Sequence, residues 1–411
     1  MPMKIFPHLR PFRSPSFRAL FLGQAFSFVG SWVQNVGQGW LVYQMTGSPF
    51  WLGLFGFAGS LPLLLFSLPA GAVADRIARR RIVLVTQMAA LLLALLLGLL
   101  TFLHLLSLPA FGLLIFAIGL AGSFELPARQ ALFLDAAPTD EIRAAVAWSS
   151  VLFNGARFLG PIVAAFLIPA LGVAACFWAN ALSYAVSLGC LLRISAPPRQ
   201  ASARSMLPSL WEGFRYLATR RALLGQAALI GFVTIFGWPY TVLLPFFAES
   251  VLHSGPKGLG LLISASGAGS LLGGLTAAAL VRTVPLPRIV FSGIGLFLLS
   301  AAGFALSRSF SFSAMLLGMA GFGLVLFLSA ANAFLQENAA RELRGRVVGI
   351  STLFFQGLFP VGSLFAALFS RFCGASATVL LGTGLCALGS LGIAVWMSSR
   401  TSEAGDSGKS L

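Results

Sequence analysis

The stretch Gly71-Ala-Val-Ala-Asp75-Arg76-Ile-Ala-Arg79-Arg80-Arg81 sits between two apolar runs, each long enough to cross a bilayer. It packs one acid and four arginines, behind a lead-in of small residues, into a short connection. Basic residues resist translocation, so such a loop marks the cytoplasmic side of a membrane. The rest of the chain agrees. Hydrophobic residues make up 58% of its 411 positions and charged residues only 9%. The apolar runs are roughly 20–25 residues long, the length of a helix that spans hydrocarbon. Continuous apolar runs do not fit the alternating pattern of a barrel, and in lipid only helices or closed barrels satisfy the backbone.

Twelve spans are predicted, at 18–42, 49–74, 82–104, 108–133, 145–169, 172–193, 222–250, 257–281, 288–307, 311–336, 346–370 and 375–397. The net charge of +16 would suggest nucleic acid in a soluble protein. Here it follows from topology, and no nucleic-acid partner is expected. With the amino terminus inside, only Lys257, Arg308 and Arg371 fall on the outer side and Arg157 falls within a span; all other basic residues are cytoplasmic. Both termini are therefore expected in the cytoplasm. The run at 20–42 is too long for the core of a secretory leader and reads as the first span. Cys176, Cys190, Cys373 and Cys386 lie in spans and read as small packing residues rather than disulfides.

The apolar pattern breaks at 194–221, where Ala196-Pro-Pro-Arg-Gln-Ala-Ser-Ala-Arg204 is loop chemistry. Leu210, Trp211, Phe214 and Leu217 then recur at helical spacing, which predicts a short amphipathic helix with its aromatic face in the lipid headgroups. The two sides of this linker echo each other: Glu141, Arg143 and Val146 after the fourth span match Glu342, Arg344 and Val347 after the tenth at one constant offset. A repeat of six plus six spans is the footprint of a transporter built from two similar bundles. The expected division is an amino-terminal bundle at 1–193, a linker at 194–221, a second bundle at 222–398 and a disordered tail at 399–411.

Polar residues inside spans are the functional candidates. In the first span Gln24, Ser27, Ser31, Gln34 and Gln38 form one stripe, flanked by Asn35. It reads as a cavity wall offering amides to a substrate, or as hydrogen bonding between helices. Arg157 lies mid-span, and Glu125 in the neighbouring span is its expected partner. Such a pair could exchange protons when the contact changes, or be a permanent ion pair. From the second half Trp238, Tyr240, Asn332, Gln336 and Gln356 are candidates for the cavity wall, while Glu249 and Glu337 lie near span ends. His8, His104 and His253 have no metal-ligand spacing, and neither a nucleophile elbow nor a phosphate-binding loop occurs. No metal, cofactor or enzymatic activity is expected.

The spacing G-x-x-x-D-R-x-A-R-R-R resembles the loop between the second and third helices of the major facilitator superfamily, with Ala78 where that family usually has Gly. Other segments resemble one branch of it, which includes the bacterial enterobactin exporter and drug and macrolide efflux proteins. They are Phe12 to Gln24, Trp32-Val-Gln34, Trp40 to Ser48, Leu52-Gly53, Pro127-Ala-Arg-Gln-Ala131, Leu244-Pro245, Gly258-x-Gly260 and Arg344-Gly-Arg-Val347. The resemblance implies an all-helical fold of twelve spans in two six-helix bundles, in the bacterial inner membrane. It also implies that Gly71, Asp75, Arg76, Arg79 and Arg80 form a latch between the halves; Asp75 could instead be an ordinary surface charge. The activity implied is efflux of an amphipathic small molecule, such as a siderophore or hydrophobic drug, driven by protons and carried out by a monomer. An importer or lipid-related transporter on the same fold is the alternative, with a membrane-embedded enzyme or channel less favoured.

Overall fold

The computed structural model describes residues 7–194 and 206–398, and the tail expected to be disordered lies outside them. Ser14 and Pro15 start the first helix. The Ser14 hydroxyl accepts from the Phe17 amide at 3.2 Å and donates to the Ala136 carbonyl at 3.0 Å, so one side chain caps α1 and ties it to the end of α4. α1 runs Pro15–Thr46 and ends at Gly47, whose φ of 61° is a left-handed cap. α2 follows at Pro49–Arg76, α3 at Arg79–Phe102, α4 at Leu108–Asp135, α5 at Ile142–Leu171 and α6 at Ala174–Leu192. After the linker helix α7, Met206–Thr219, come α8 (Arg221–Val251), α9 (Gly255–Leu280), α10 (Leu286–Leu306) and α11 (Phe310–Asn338).

The last stretch, Arg344–Met397, is 54 residues long and breaks at Gly374, where φ is 81° and ψ is 169°. A side chain there would be strained. The break makes two arms, α12 (344–373) and α13 (375–398). Ten helices among the described residues have the length and hydropathy of a membrane crossing. Dividing the last of them and adding the 32-residue α1 is compatible with the expected twelve passes. Large apolar side chains face outward, among them Leu299, 76% exposed, and Phe372, 83% exposed. On a soluble protein such a surface would aggregate; here it is the face that meets lipid.

In the first bundle α1 packs on α5 and α6, α2 on α4, and α3 on α4 and α6. In the second, α11 packs on both α9 and α10, and the α12–α13 pair packs on α8 and α10. The bundles meet most closely at the end away from the linker. Small residues make this possible: a Cβ on Gly53 of α2 would strike the Ala367 backbone of α12, and one on Gly260 of α9 would strike Pro161 and Ala165 of α5. Tyr43 and Ser250 share a hydrogen bond at 2.5 Å across the same seam.

The linker helix differs from its expected place. Leu217 is buried, Phe214 packs on Phe354, and the Tyr216 hydroxyl accepts from the Ala340 amide at 3.1 Å. Glu212 forms an ion pair with Arg346. The apolar side of α7 described here thus lies on the linker end of the second bundle rather than in headgroups, because that surface offers both burial and a donor needing a partner. The side chains of Leu210 and Trp211 lie outside the described set.

Candidate functional site

Between the bundles, under the close seam, lies a cavity of about 510 Å³. Asn35 and Gln38 reach it from α1, Ser60 from α2, Arg157 from α5, Trp238 from α8 and Ser266 from α9. Much of the remaining wall is apolar, including Phe55, Phe111, Ile115 and Phe359. Trp238 is held flat against Phe355, with ring centroids 4.5 Å apart and planes 10° apart.

The stripe on α1 divides into two destinations. Gln38 and Asn35 face the cavity. Gln34 does not: it is buried, and its Oε1 accepts from Asn180 Nδ2 of α6 at 2.8 Å. Ser31 donates to the Ser27 carbonyl and lies 3.4 Å from the Tyr184 hydroxyl, also on α6. Gly23, Gly30 and Gly37 lie one heptad apart and let α6 approach, since a Cβ on each would press on Ser187, Ser183 or Cys176. Gln34 and Ser31 of the stripe are therefore glue between α1 and α6. Asn180, Ser183, Tyr184 and Ser187 form the matching stripe on α6, a periodicity visible in the sequence but not read from it.

The expected pairing of Glu125 with Arg157 is replaced. Glu125 Oε1 accepts from Arg129 Nη1 at 3.2 Å and from Gln87 Nε2 at 3.1 Å. All three belong to the first bundle's interior, and Glu125 is only 5% exposed. The physical reason is proximity: Arg129 lies four residues on along the same helix, where side chains meet directly. The Arg129 guanidinium also stacks 4.4 Å above the Phe28 ring. Gln87, a lone amide in the apolar α3, was the overlooked signal for this cluster. Arg157 lies where the α5 backbone packs on Gly267 of α9, and its guanidinium sits 5.9 Å from the Trp32 ring centroid.

Tyr240 is buried beside Ser266 and within the field of Arg157, behind the cavity wall. Asn332 does not line the cavity; it accepts from Ser351 at 2.6 Å and donates to the Leu328 carbonyl, tying α11 to α12. Gln356 is half-buried in the π turn Leu353–Gly357, away from the cavity lining. Gln336 is exposed, as are Glu249 and Glu337.

In the loop of the opening stretch, Gly71 is buried and Arg76 exposed. The backbone of Asp75 lies in the last turn of α2, and its side chain is outside the described set. Arg79 binds both oxygens of Asp135, at 2.7 and 2.5 Å. Arg80 donates to the carbonyls of Leu191 and Leu192, each at 3.1 Å, capping α6. These contacts fasten the loop to α4 and α6 of its own bundle.

Nearly the whole chain, residues 7–410, matches the family model described as "Transmembrane secretion effector". The chain belongs to this family of major facilitator transporters. It is 25% identical over 359 residues to the Staphyloferrin A transporter of Staphylococcus aureus, covering 82% of this chain and 85% of that protein. It is 27% identical over 391 residues to the multidrug efflux pump Tap of Mycobacterium tuberculosis, covering 90% of each. Its fold is similar to that of a bacterial homologue of the human lysosomal transporter Spinster, solved inward-facing and unoccupied. The TM-score is 0.70, at 16% identity over 94% of both chains. Family membership points to transport rather than catalysis, with a small molecule as cargo and a bilayer as setting.

Proposed function

We propose that this protein is a proton-coupled exporter of an amphipathic small organic molecule, working by alternating access as a monomer in the bacterial cytoplasmic membrane. The observation that carries this reading is the cavity at the interface of the bundles, beneath a seam made of close-packed small residues. Rocking of the halves 1–193 and 222–398 about that cavity would part the seam and bring the linker ends together. The arginine-rich loops support a cytoplasmic location for the linker and both termini. The chain's similarity to a siderophore transporter and a multidrug pump supports siderophores or hydrophobic drugs as cargo.

Glu125 is the proposed coupling group. It is a buried carboxylate held by Arg129 and Gln87, so a change in helix packing would remake its contacts. A stabilisation screen of the purified protein with siderophores and hydrophobic drugs identifies a ligand. Energised inverted vesicles should then accumulate that ligand, and a protonophore should abolish accumulation. Glu125→Gln should still exchange ligand across the membrane but lose proton-driven accumulation. Uptake only into right-side-out vesicles would sink the export direction, and accumulation indifferent to protonophore would sink the coupling.

A further inference from the structure

The cavity is asymmetric in charge. Arg157 is 9% exposed and lines it, yet no Asp or Glu is among the described residues of its wall. The one deeply buried carboxylate described in the first bundle, Glu125, is engaged by Arg129 and Gln87. A guanidinium held in an apolar setting without a counter-charge is costly and calls for an anion. The other unmet groups agree with it. Trp238 Nε1 and Gln38 Nε2 are buried at the cavity without an acceptor, and the indole can only donate. Both residues border a space whose described wall carries no carboxylate, while the rings of Trp32, Phe55, Phe111 and Phe359 supply an apolar body for it. A volume of about 510 Å³ suits a drug-sized molecule.

We propose that the cargo is an amphipathic organic anion, an apolar body bearing a carboxylate or similar oxygen-rich group, and that Arg157 recognises its charge, assisted by Trp238 and Gln38. This rests on the transport reading above and narrows it. A lipophilic cation would meet Arg157 with no described carboxylate to offset the repulsion, so this site selects against it.

The test uses the full chain in phosphatidylcholine nanodiscs and two probes of matched shape, naphthylacetate and naphthylethylamine. Calorimetric titration should show the carboxylate bound at least about tenfold more tightly than the amine, the scale of a close charge pair. Arg157→Gln should abolish the preference, and Arg157→Lys should restore part of it because the charge is kept. Equal or tighter binding of the amine to the unaltered protein overturns the proposal, and that comparison needs no variant to fold. So does an undiminished preference in Arg157→Gln. Adding phosphatidylglycerol to the nanodiscs should leave naphthylacetate binding intact; displacement would make a lipid headgroup the ligand and overturn the cargo assignment. Counterflow in proteoliposomes separates the two readings. Movement of the amine but not the carboxylate leaves transport standing and removes the anion. If neither probe binds or moves, both readings fall.

Discussion

The interior of the first bundle and the wall of the cavity hold polar residues of the same kinds, used in opposite ways. Inside the bundle, Glu125 meets Arg129 and Gln87, and Gln34 meets Asn180. At the cavity, Arg157 has no described acid beside it, and Gln38 Nε2 has no acceptor. Glu125 and Gln34 thus find partners within their bundle, whereas Arg157 and Gln38 Nε2 at the cavity do not. Depth in the membrane does not distinguish them, since all four lie within spans. What distinguishes them is whether a neighbouring helix of the same bundle reaches the polar atom. Completed groups hold helices together; open ones are available to something that comes and goes.

Three substitutions test that contrast. The largest effect on stability belongs to Glu125→Leu, which leaves the half-buried Arg129 charge without its carboxylate. A loss of about 3 kcal/mol is expected. Thermal unfolding in detergent should show it, and adding Arg129→Leu should recover most of the loss; a single variant as stable as the parent would show that the pair does not hold the bundle. Next comes Gln34→Leu, which orphans Asn180 Nδ2 and should cost about 1 kcal/mol by the same measurement. Ligand affinity should be unaltered, and a selective loss of binding would move Gln34 back to the cavity. The smallest change in stability is expected for Gln38→Leu, within about 0.5 kcal/mol because no partner is left behind. Its effect should appear in binding of naphthylacetate, weakened about fivefold, the value of one hydrogen bond. Unchanged binding would show that the amide takes no part in recognition.

The membrane fold was readable because lipid imposes a simple rule: a crossing helix must be apolar over a fixed length, and its ends must carry the basic residues. Even the division at 371–374 falls in the predicted gap between the last two spans, and Gly374 supplies the turn. The stripe on α1 was readable as a period but not as a direction. Periodicity gives the angle of a face, not the identity of the helix opposite. The glycines at 23, 30 and 37 held the missing information, because small residues beside polar ones indicate a helix at close range. Arg157 was readable as deep, but its neighbour was not. An arginine side chain is long enough to serve any of several adjacent helices, and the nearer base for Glu125 was Arg129, four residues along its own helix. Tyr240 and Asn332 show the same limit, since polar residues in a span can sit behind a cavity wall as easily as on it.

The seam that closes the cavity is built from Gly53 against Ala367 and Gly260 against Ala165, with Tyr43 and Ser250 joined by one neutral hydrogen bond. Beside them two cations cross the seam, Lys257 over the Phe166 ring at 5.5 Å and Arg371 over the Phe50 ring at 5.6 Å, each on a neutral ring. Opening at this end must therefore part close-fitting small residues and also lift two cations off aromatic faces. In the proposed orientation this is the end that meets the changing surroundings of the cell, while the arginine-rich loops meet its regulated interior.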